Sequence, residues 1–167
     1  MRYAPAAAAL SLVLAVTASV GSAQTPEPSP RAAALIAEGR AALSNGETQG
    51  AIDAFEAALA VDPGYTPVLL DLAAAARADA LQGKAIRYYR EALVRDPGNY
   101  AAIAGEGEAL VEKGAIDRAR TNLARLQSLC GSCTEADALA ATIAAGPRVP
   151  VMTAEATMTA GEDVQAN

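Results

Sequence analysis

Cys130 and Cys133 are the residues of this sequence whose types and spacing most directly suggest chemistry. They are the only cysteines, and they stand in the run Cys130-Gly-Ser-Cys133. Such a pair can form a structural disulfide, act as a redox couple or supply part of a zinc site. A zinc site within one chain would need two more Cys or His ligands, and the sequence has no His. Haem attachment needs a His directly after the second cysteine, where Thr134 stands.

Carboxylate pairs are the other candidates for catalysis, because the absence of His removes the commonest general base and the commonest transition-metal ligand. The pairs that lie close in sequence are Glu106 with Glu108, Glu108 with Glu112, and Asp53 with Glu56. Solvated helix faces explain these carboxylates better than a buried acid/base site does, since no polar pocket is indicated around them. We therefore predict a protein that is not an enzyme and that uses no cofactor and no metal.

The first 23 residues have the features of a signal peptide. Arg2 gives a positive start, and the mainly apolar run over 6–20 is too short to span a bilayer comfortably. Gly21-Ser22-Ala23 then offers the small residues that a signal peptidase requires, so that Gln24 would begin the mature chain. An uncleaved membrane anchor is the alternative, whereas a lipid anchor would need a Cys at the cleavage point. We predict a periplasmic or secreted protein.

An oxidising compartment favours the structural disulfide over the redox couple. Outside the cytoplasm, Cys130 and Cys133 are expected to be oxidised to each other. Closing so short a loop stabilises the fold by about 2 kcal/mol in the chain-entropy model. A redox role would need a lowered thiol pKa at a helix start, normally in a strand–helix–strand setting that the sequence does not indicate.

The charge balance argues against nucleic acid as a partner. The sequence has 13 basic and 19 acidic residues, and removal of Arg2 leaves 12 − 19 = −7 on the mature chain. Such a chain repels phosphate backbones and anionic lipid surfaces. We expect no nucleic acid, no membrane insertion after signal cleavage, and another protein as the partner.

A 34-residue repeat organises the middle of the chain. Four pairs of like residues are separated by this interval: Ala51 and Ala85, Phe55 and Tyr89, Ala58 and Ala92, Pro63 and Pro97. A third copy continues the pattern with Ala119 and Leu123 but has Leu126 and Gly131 where the others have Ala and Pro. Internal repetition at a period of this length indicates a solenoid of small supersecondary units.

On these residues the sequence resembles the tetratricopeptide repeat family, in which each unit is a pair of antiparallel helices. The resemblance covers repeats 32–65, 66–99 and 100–133. Gly39, Ala73 and Gly107 stand where the family keeps a small residue so that the two helices of a unit approach closely. The resemblance implies an all-α, right-handed α-solenoid of three helix-turn-helix repeats.

Turn and cap residues place the helices independently of the resemblance. Hydroxyl caps and Pro mark the starts, while Asn-Gly, Asp-Pro-Gly and Lys-Gly mark the ends. We predict helices near 31–44, 48–61, 66–80, 82–95, 100–112 and 115–129. Ser132 and Glu135 have capping-box spacing and predict a seventh, capping helix over 134–145. The repeat domain would span 31–146, between a flexible segment over 24–30 and a disordered tail over 147–167. One of Tyr88 and Tyr89 is expected in the core and the other on the surface.

The resemblance also implies a binding groove lined by the first helix of each unit. The residues expected to line it are Ile36, Arg40, Leu43, Leu70, Ala74, Arg77, Ala104, Glu108 and Val111. They would make a surface that is apolar at its centre, basic at one end and acidic at the other. The family's carboxylate clamp is not expected, because Ile36, Asp71, Ala101 and Gly105 stand at most of its positions, although Arg40 leaves one cation.

These features predict a protein–protein interaction module, an adaptor or scaffold of the bacterial cell envelope, which binds a peptide segment or helix of a partner in the groove. A monomer is expected. Two alternatives stay open: a periplasmic thiol-disulfide redox protein that uses Cys130 and Cys133, and a self-associating structural module.

Overall fold

The computed structural model describes residues 27–147, and this part of the chain folds into helices without a strand. The helices are α1 Pro30–Ser44, α2 Thr48–Val61, α3 Val68–Ala78, α4 Gln82–Arg95, α5 Tyr100–Glu112, α6 Ile116–Cys130 and α7 Thr134–Ala145. The predicted all-α class is confirmed. The predicted signal peptide, residues 24–26 of the predicted flexible segment and residues 148–167 of the predicted tail lie outside the described residues.

Neighbouring helices pack in pairs that repeat along the chain. Helix α1 packs against α2, α3 against α4, and α5 against α6. The backbone of each odd-numbered helix also lies close to that of the next odd-numbered one, up to α7, whereas the backbones of the even-numbered helices lie farther apart. The odd-numbered helices therefore line the inner surface of a solenoid, and the even-numbered helices form its outer surface.

The same backbone turn joins the two helices of every unit. Gly46, Ala80 and Gly114 follow one another at 34-residue intervals and adopt φ values of 81°, 57° and 80°. In each turn the next N–H reaches back five residues to a helix carbonyl, as Leu81 donates to Ala76 at 2.8 Å. This is a Schellman-type end, which requires a left-handed residue and favours Gly. Two of the three turns have Gly at this position, whereas the second has Ala80, whose side chain makes the left-handed conformation less favourable.

Helix α3 is shorter at both ends than the predicted 66–80. The N–H of Leu69 bonds the carbonyl of Thr66 at 2.9 Å, and Leu70 bonds Pro67 at 3.0 Å. Such i→i−3 bonds make a tight turn before the α-helix, which therefore begins at Val68. The left-handed turn at Ala80 stops the helix after residue 78.

Small residues let the helices of the core approach one another closely. A Cβ on Gly39 would lie 2.6 Å from Cε1 of Phe55, whose ring is fully buried. This contact joins the two helices of the first unit, as predicted. A Cβ on Gly107 would instead lie 2.6 Å from Cδ2 of Leu139 in α7. The close approach at Gly107 is thus to the seventh helix, because α7 packs on α5 as the first helix of a further unit would.

The expectation for the two adjacent tyrosines is wrong, because Tyr88 and Tyr89 are both buried. The hydroxyl of Tyr88 donates to Oε1 of Glu56 at 2.6 Å, and the ring of Tyr89 lies against Gly105 of the next unit. Tyr88 therefore links α4 to α2 at the outer surface, and Tyr89 fixes the stacking of α4 on α5.

Candidate binding groove

The inner surface of α1, α3, α5 and α7 is the candidate site, and we call it the groove. Of the nine predicted groove residues, Arg40 and Ala74 are exposed, and four are half-buried: Leu43, Leu70, Arg77 and Glu108. Ile36, Ala104 and Val111 are only 4%, 6% and 1% exposed. These three belong to the core below the surface, because close packing of the odd-numbered helices covers them.

Arg77, Glu108 and Val111 of the predicted residues line one cavity, and Leu70 does not. It lines a separate cavity of about 310 Å³ together with the end of α4 and the turn that leads to α5. The lining residues of this second cavity are Thr66, Pro67, Leu70, Ala92, Arg95, Asp96 and Asn99.

Both arginines of the groove are paired with carboxylates on the next odd-numbered helix. Nη2 of Arg40 lies 2.9 Å from Oδ2 of Asp71, and its Nε donates to Oδ1 at 3.2 Å. Nη1 and Nη2 of Arg77 lie 2.5 Å from carboxylate oxygens of Glu108 and Glu112. The predicted basic end is neutral because Arg40 is paired with Asp71, whereas the predicted acidic end keeps one carboxylate in excess because Glu108 and Glu112 share Arg77. The pair with Asp71 engages Nε and Nη2 of Arg40 and reduces the net positive charge that this residue offers to a partner.

The pairing changes the proton affinity of the two guanidinium groups. Burial by itself would lower the pKa of Arg77, but the hydrogen bonds with Glu112 and Tyr89 and the charge of Glu112 together outweigh it, and the pKa is raised. The hydrogen bond with Asp71 likewise raises the pKa of Arg40. Both side chains therefore stay charged, and they act as fixed ion pairs that hold neighbouring odd-numbered helices together.

A cavity of about 480 Å³ lies where the groove meets α7. It is lined by Arg77, Glu108, Val111, Glu112, Ala141, Thr142, Ala145 and Gly146. None of the residues that α7 and its end contribute to this cavity was among the predicted groove residues. The signal was present, because Thr142 and Ala145 stand 34 residues after Glu108 and Val111, so a fourth copy of the repeat pattern would have included them.

The buried carboxylate of the structure lies away from the groove. Glu106 was expected on a solvated helix face, but it is only 7% exposed. Its Oε1 accepts from Nε of Arg90 at 2.7 Å, and its Oε2 accepts from Nδ2 of Asn122 at 3.3 Å. Glu106 and Glu108 therefore serve different surfaces and form no acid/base pair. Over residues 27–147, no group of three or more potential metal ligands occurs.

The cysteines lie at the junction between α6 and α7. In the structure Cys130, the last residue of α6, is joined by a disulfide to Cys133, which immediately precedes α7, with Cα atoms 5.9 Å apart. Both pack against the apolar cluster of Ile103, Leu126 and Leu139. Oxidation of the pair in the cell stays a prediction. The position of Cys133 at a helix start is the feature that favours the redox alternative.

The sequence matches no protein-family model and no curated protein. Solved structures do match the fold. The Sgt2 TPR domain from Aspergillus fumigatus is 24% identical with a TM-score of 0.64, over 84% of this chain and 89% of that one. The first TPR of Spaghetti (RPAP3), bound to the HSP90 peptide SRMEEVD, is 19% identical with a TM-score of 0.62, over 69% and 91%.

A bacterial structure gives the same result. The Yersinia enterocolitica type III secretion chaperone SycD, in complex with a peptide of the translocator YopD, is 22% identical with a TM-score of 0.59, over 68% of this chain and 86% of that one. Identities at this level establish the fold alone. Three stacked helix pairs, the 34-residue period and these likenesses together show that the chain has the tetratricopeptide repeat fold.

Proposed function

We propose that this chain is a non-enzymatic protein-interaction module, an adaptor or scaffold that binds a segment of a partner protein in the groove. The observation that carries the proposal is the inner surface of four odd-numbered helices, which leaves Leu43, Ala74 and the cavity beside α7 accessible. Structures of the same fold support it, since two of them hold peptides of other proteins. The partner would offer a peptide segment or a helix.

We further propose that the module works in the bacterial cell envelope, as a periplasmic or secreted protein. The support is the signal-peptide pattern of residues 1–23, together with a cysteine pair placed to brace the α6–α7 junction. No helix within residues 27–147 is long and apolar enough to cross a membrane. Cell fractionation with a C-terminal epitope tag tests the location, and retention of the full-length precursor in the cytoplasm would contradict it.

Position-specific photocrosslinking in cells tests the groove. Ala74 on α3 is exposed in the groove, and Ala57 on α2 is an equally small, exposed residue on the outer surface. We expect benzoylphenylalanine at position 74 to crosslink a partner and the same group at position 57 to crosslink none. Crosslinks at position 57 alone would assign binding to the outer surface and contradict the proposal. Crosslinks between two copies of the chain would favour the self-associating alternative.

A thiol redox function is the second candidate because Cys133 stands at a helix start. Its test is independent of the groove. Reduction of insulin by the mature chain, lost when Cys130 and Cys133 are both replaced by Ser, would support redox chemistry. Retention of groove crosslinking by that double variant would support the interaction module.

A further inference from the structure

We propose that the cavity between α3, α5 and α7 binds a basic side chain, an arginine or a lysine, of the partner segment. This inference rests on the proposed function and specifies the partner at one place in the groove. The main evidence for this inference is that the cavity is lined by more negative than positive side chains.

The cavity holds one cation against two carboxylates. The side chains of Arg77, Glu108 and Glu112 are 23%, 23% and 29% exposed, so all three are largely withdrawn from solvent. One guanidinium shared by two carboxylates leaves one unit of negative charge in excess. At the other end of the groove, Arg40 and Asp71 balance one to one. Charge interactions strengthen as water is removed, so the excess acts mainly inside the cavity.

The end of α7 adds a second, independent negative element. The helix ends at Ala145, and both Ala145 and Gly146 line the cavity. The N–H of Gly146 caps the carbonyls of Thr142 and Ile143, and the carbonyls after them carry the negative end of the helix dipole. The last turn of α7 contains no basic side chain to offset it. The carboxylates and this helix end therefore favour a cation from outside.

The rest of the wall suits the aliphatic stem of such a side chain. Ala141 and Ala145 give exposed apolar surface above the buried Val111, and Thr142 uses its hydroxyl hydrogen on Ala138 while its oxygen can still accept. Lys and Arg bury their methylene groups along apolar surface while the charged head finds a polar partner. The volume of about 480 Å³ lies within the range of about 300–1,000 Å³ that is typical of ligand sites.

Peptide titration of the mature, isotope-labelled chain tests this inference. The probes are three acetylated and amidated peptides of sequence AALXALA, in which X is Arg, Gln or Glu. We expect the Arg peptide to shift the amide signals of Val111, Thr142 and Gly146 and to bind about fivefold more tightly than the Gln peptide. The Glu peptide is expected to bind most weakly. Equal affinity for all three peptides, or tightest binding of the Glu peptide, would overturn the proposal.

Three variants separate the charge effect from a general loss of structure. Glu112→Gln should reduce the affinity for the Arg peptide to that for the Gln peptide. Arg77→Gln should raise it about fivefold or more, because both carboxylates become available. Arg120→Gln is the matched control, because it also removes a cation paired with a carboxylate but lies on α6 at the outer surface, and it should leave the affinity unchanged. A gain of affinity is an outcome that misfolding cannot produce, so a loss with Arg77→Gln in a folded chain refutes the reasoning.

Arg148 is a possible competitor from the chain itself. Arg148 follows the last described residue in sequence, so Arg148→Ala is titrated in parallel. Binding of the Arg peptide only to this variant would mean that the chain fills its own cavity, which contradicts a partner cation. Groove crosslinking at Ala74 without any preference for the Arg peptide would leave the proposed function standing and refute this inference alone.

Discussion

Replacement of Gly39 by Ala tests whether close helix approach holds the first unit together. The added Cβ would lie 2.6, 2.7 and 2.9 Å from three ring atoms of Phe55. Because that ring is fully buried, it cannot move without disturbing its neighbours. Overpacking of this kind costs about 1–3 kcal/mol, and the better helix propensity of Ala returns about 1 kcal/mol. We expect a net loss of up to about 2 kcal/mol.

Gly50→Ala is the matched control. Gly50 also lies in a helix, but the nearest side-chain atoms to its added Cβ are 4.0 Å away. This variant gains helix propensity without a clash and should be more stable than the wild type by about 0.5–1 kcal/mol. Much of the propensity term is common to both variants. The difference between them, about 1–3 kcal/mol, therefore reports the clash with Phe55.

Urea unfolding followed by far-UV circular dichroism measures both variants. A difference of 1 kcal/mol corresponds to about 4 °C or more in Tm for a domain of this size. The double variant Gly39→Ala, Phe55→Leu should recover part of the loss, since removing the ring relieves the contact. Equal stability of the Gly39 and Gly50 variants, or no coupling between positions 39 and 55, would refute the packing argument.

Three further predictions follow from single features. Ala80→Gly should stabilise the protein by about 0.5–1 kcal/mol in urea unfolding, because the residue has a left-handed φ; a loss of stability would contradict the proposed turn strain. The hydrogen bond from Tyr88 lowers the pKa of Glu56 below its ordinary value of 4.5. The ionised Glu56 therefore stabilises the fold above pH 4.5, and this contribution is lost as the pH falls through the pKa of the folded state. The Tm difference between wild type and Glu56→Gln should therefore shrink on acidification from pH 6 to pH 3, and a pH-independent difference would exclude this contribution. Replacing Cys130 and Cys133 by Ser should cost about 2 kcal/mol of stability relative to the oxidised protein, and dithiothreitol should produce the same change in the wild type but none in the variant.

The repeat architecture was largely predictable because its determinants are local in sequence. Positions such as Phe55 and Ala51 recur with the unit, and Asn-Gly or Asp-Pro-Gly turns end helices by their own backbone preferences. Six of the seven helices fall within one residue of their predicted bounds. The exception, α3, begins later because of a tight first turn, and its end was predicted two residues too far because Ala80 stands where the equivalent turns have Gly.

The groove was predicted less well because it depends on how far each helix is rotated about its axis. A rotation of a fraction of a turn decides whether Val111 presents its side chain or buries it, and the sequence period cannot resolve that difference. The partners in the pairs Arg40–Asp71 and Arg77–Glu108 are both 31 residues apart. This separation is the 34-residue repeat length minus about one helical turn. That regularity was present in the sequence, but it becomes evident only once the units are stacked.

The sequence by itself therefore determined the helices, their order and their pairing into units. The tertiary structure decided which charged side chains form pairs, including the burial of Glu106 beside Arg90. It also decided that α7 completes the groove, with a cavity lined by one more carboxylate than cation. The physical reason is the range of the interactions. Helix ends and turns are set by neighbours within about five residues along the chain, whereas burial and ion pairing are set by contacts between helices.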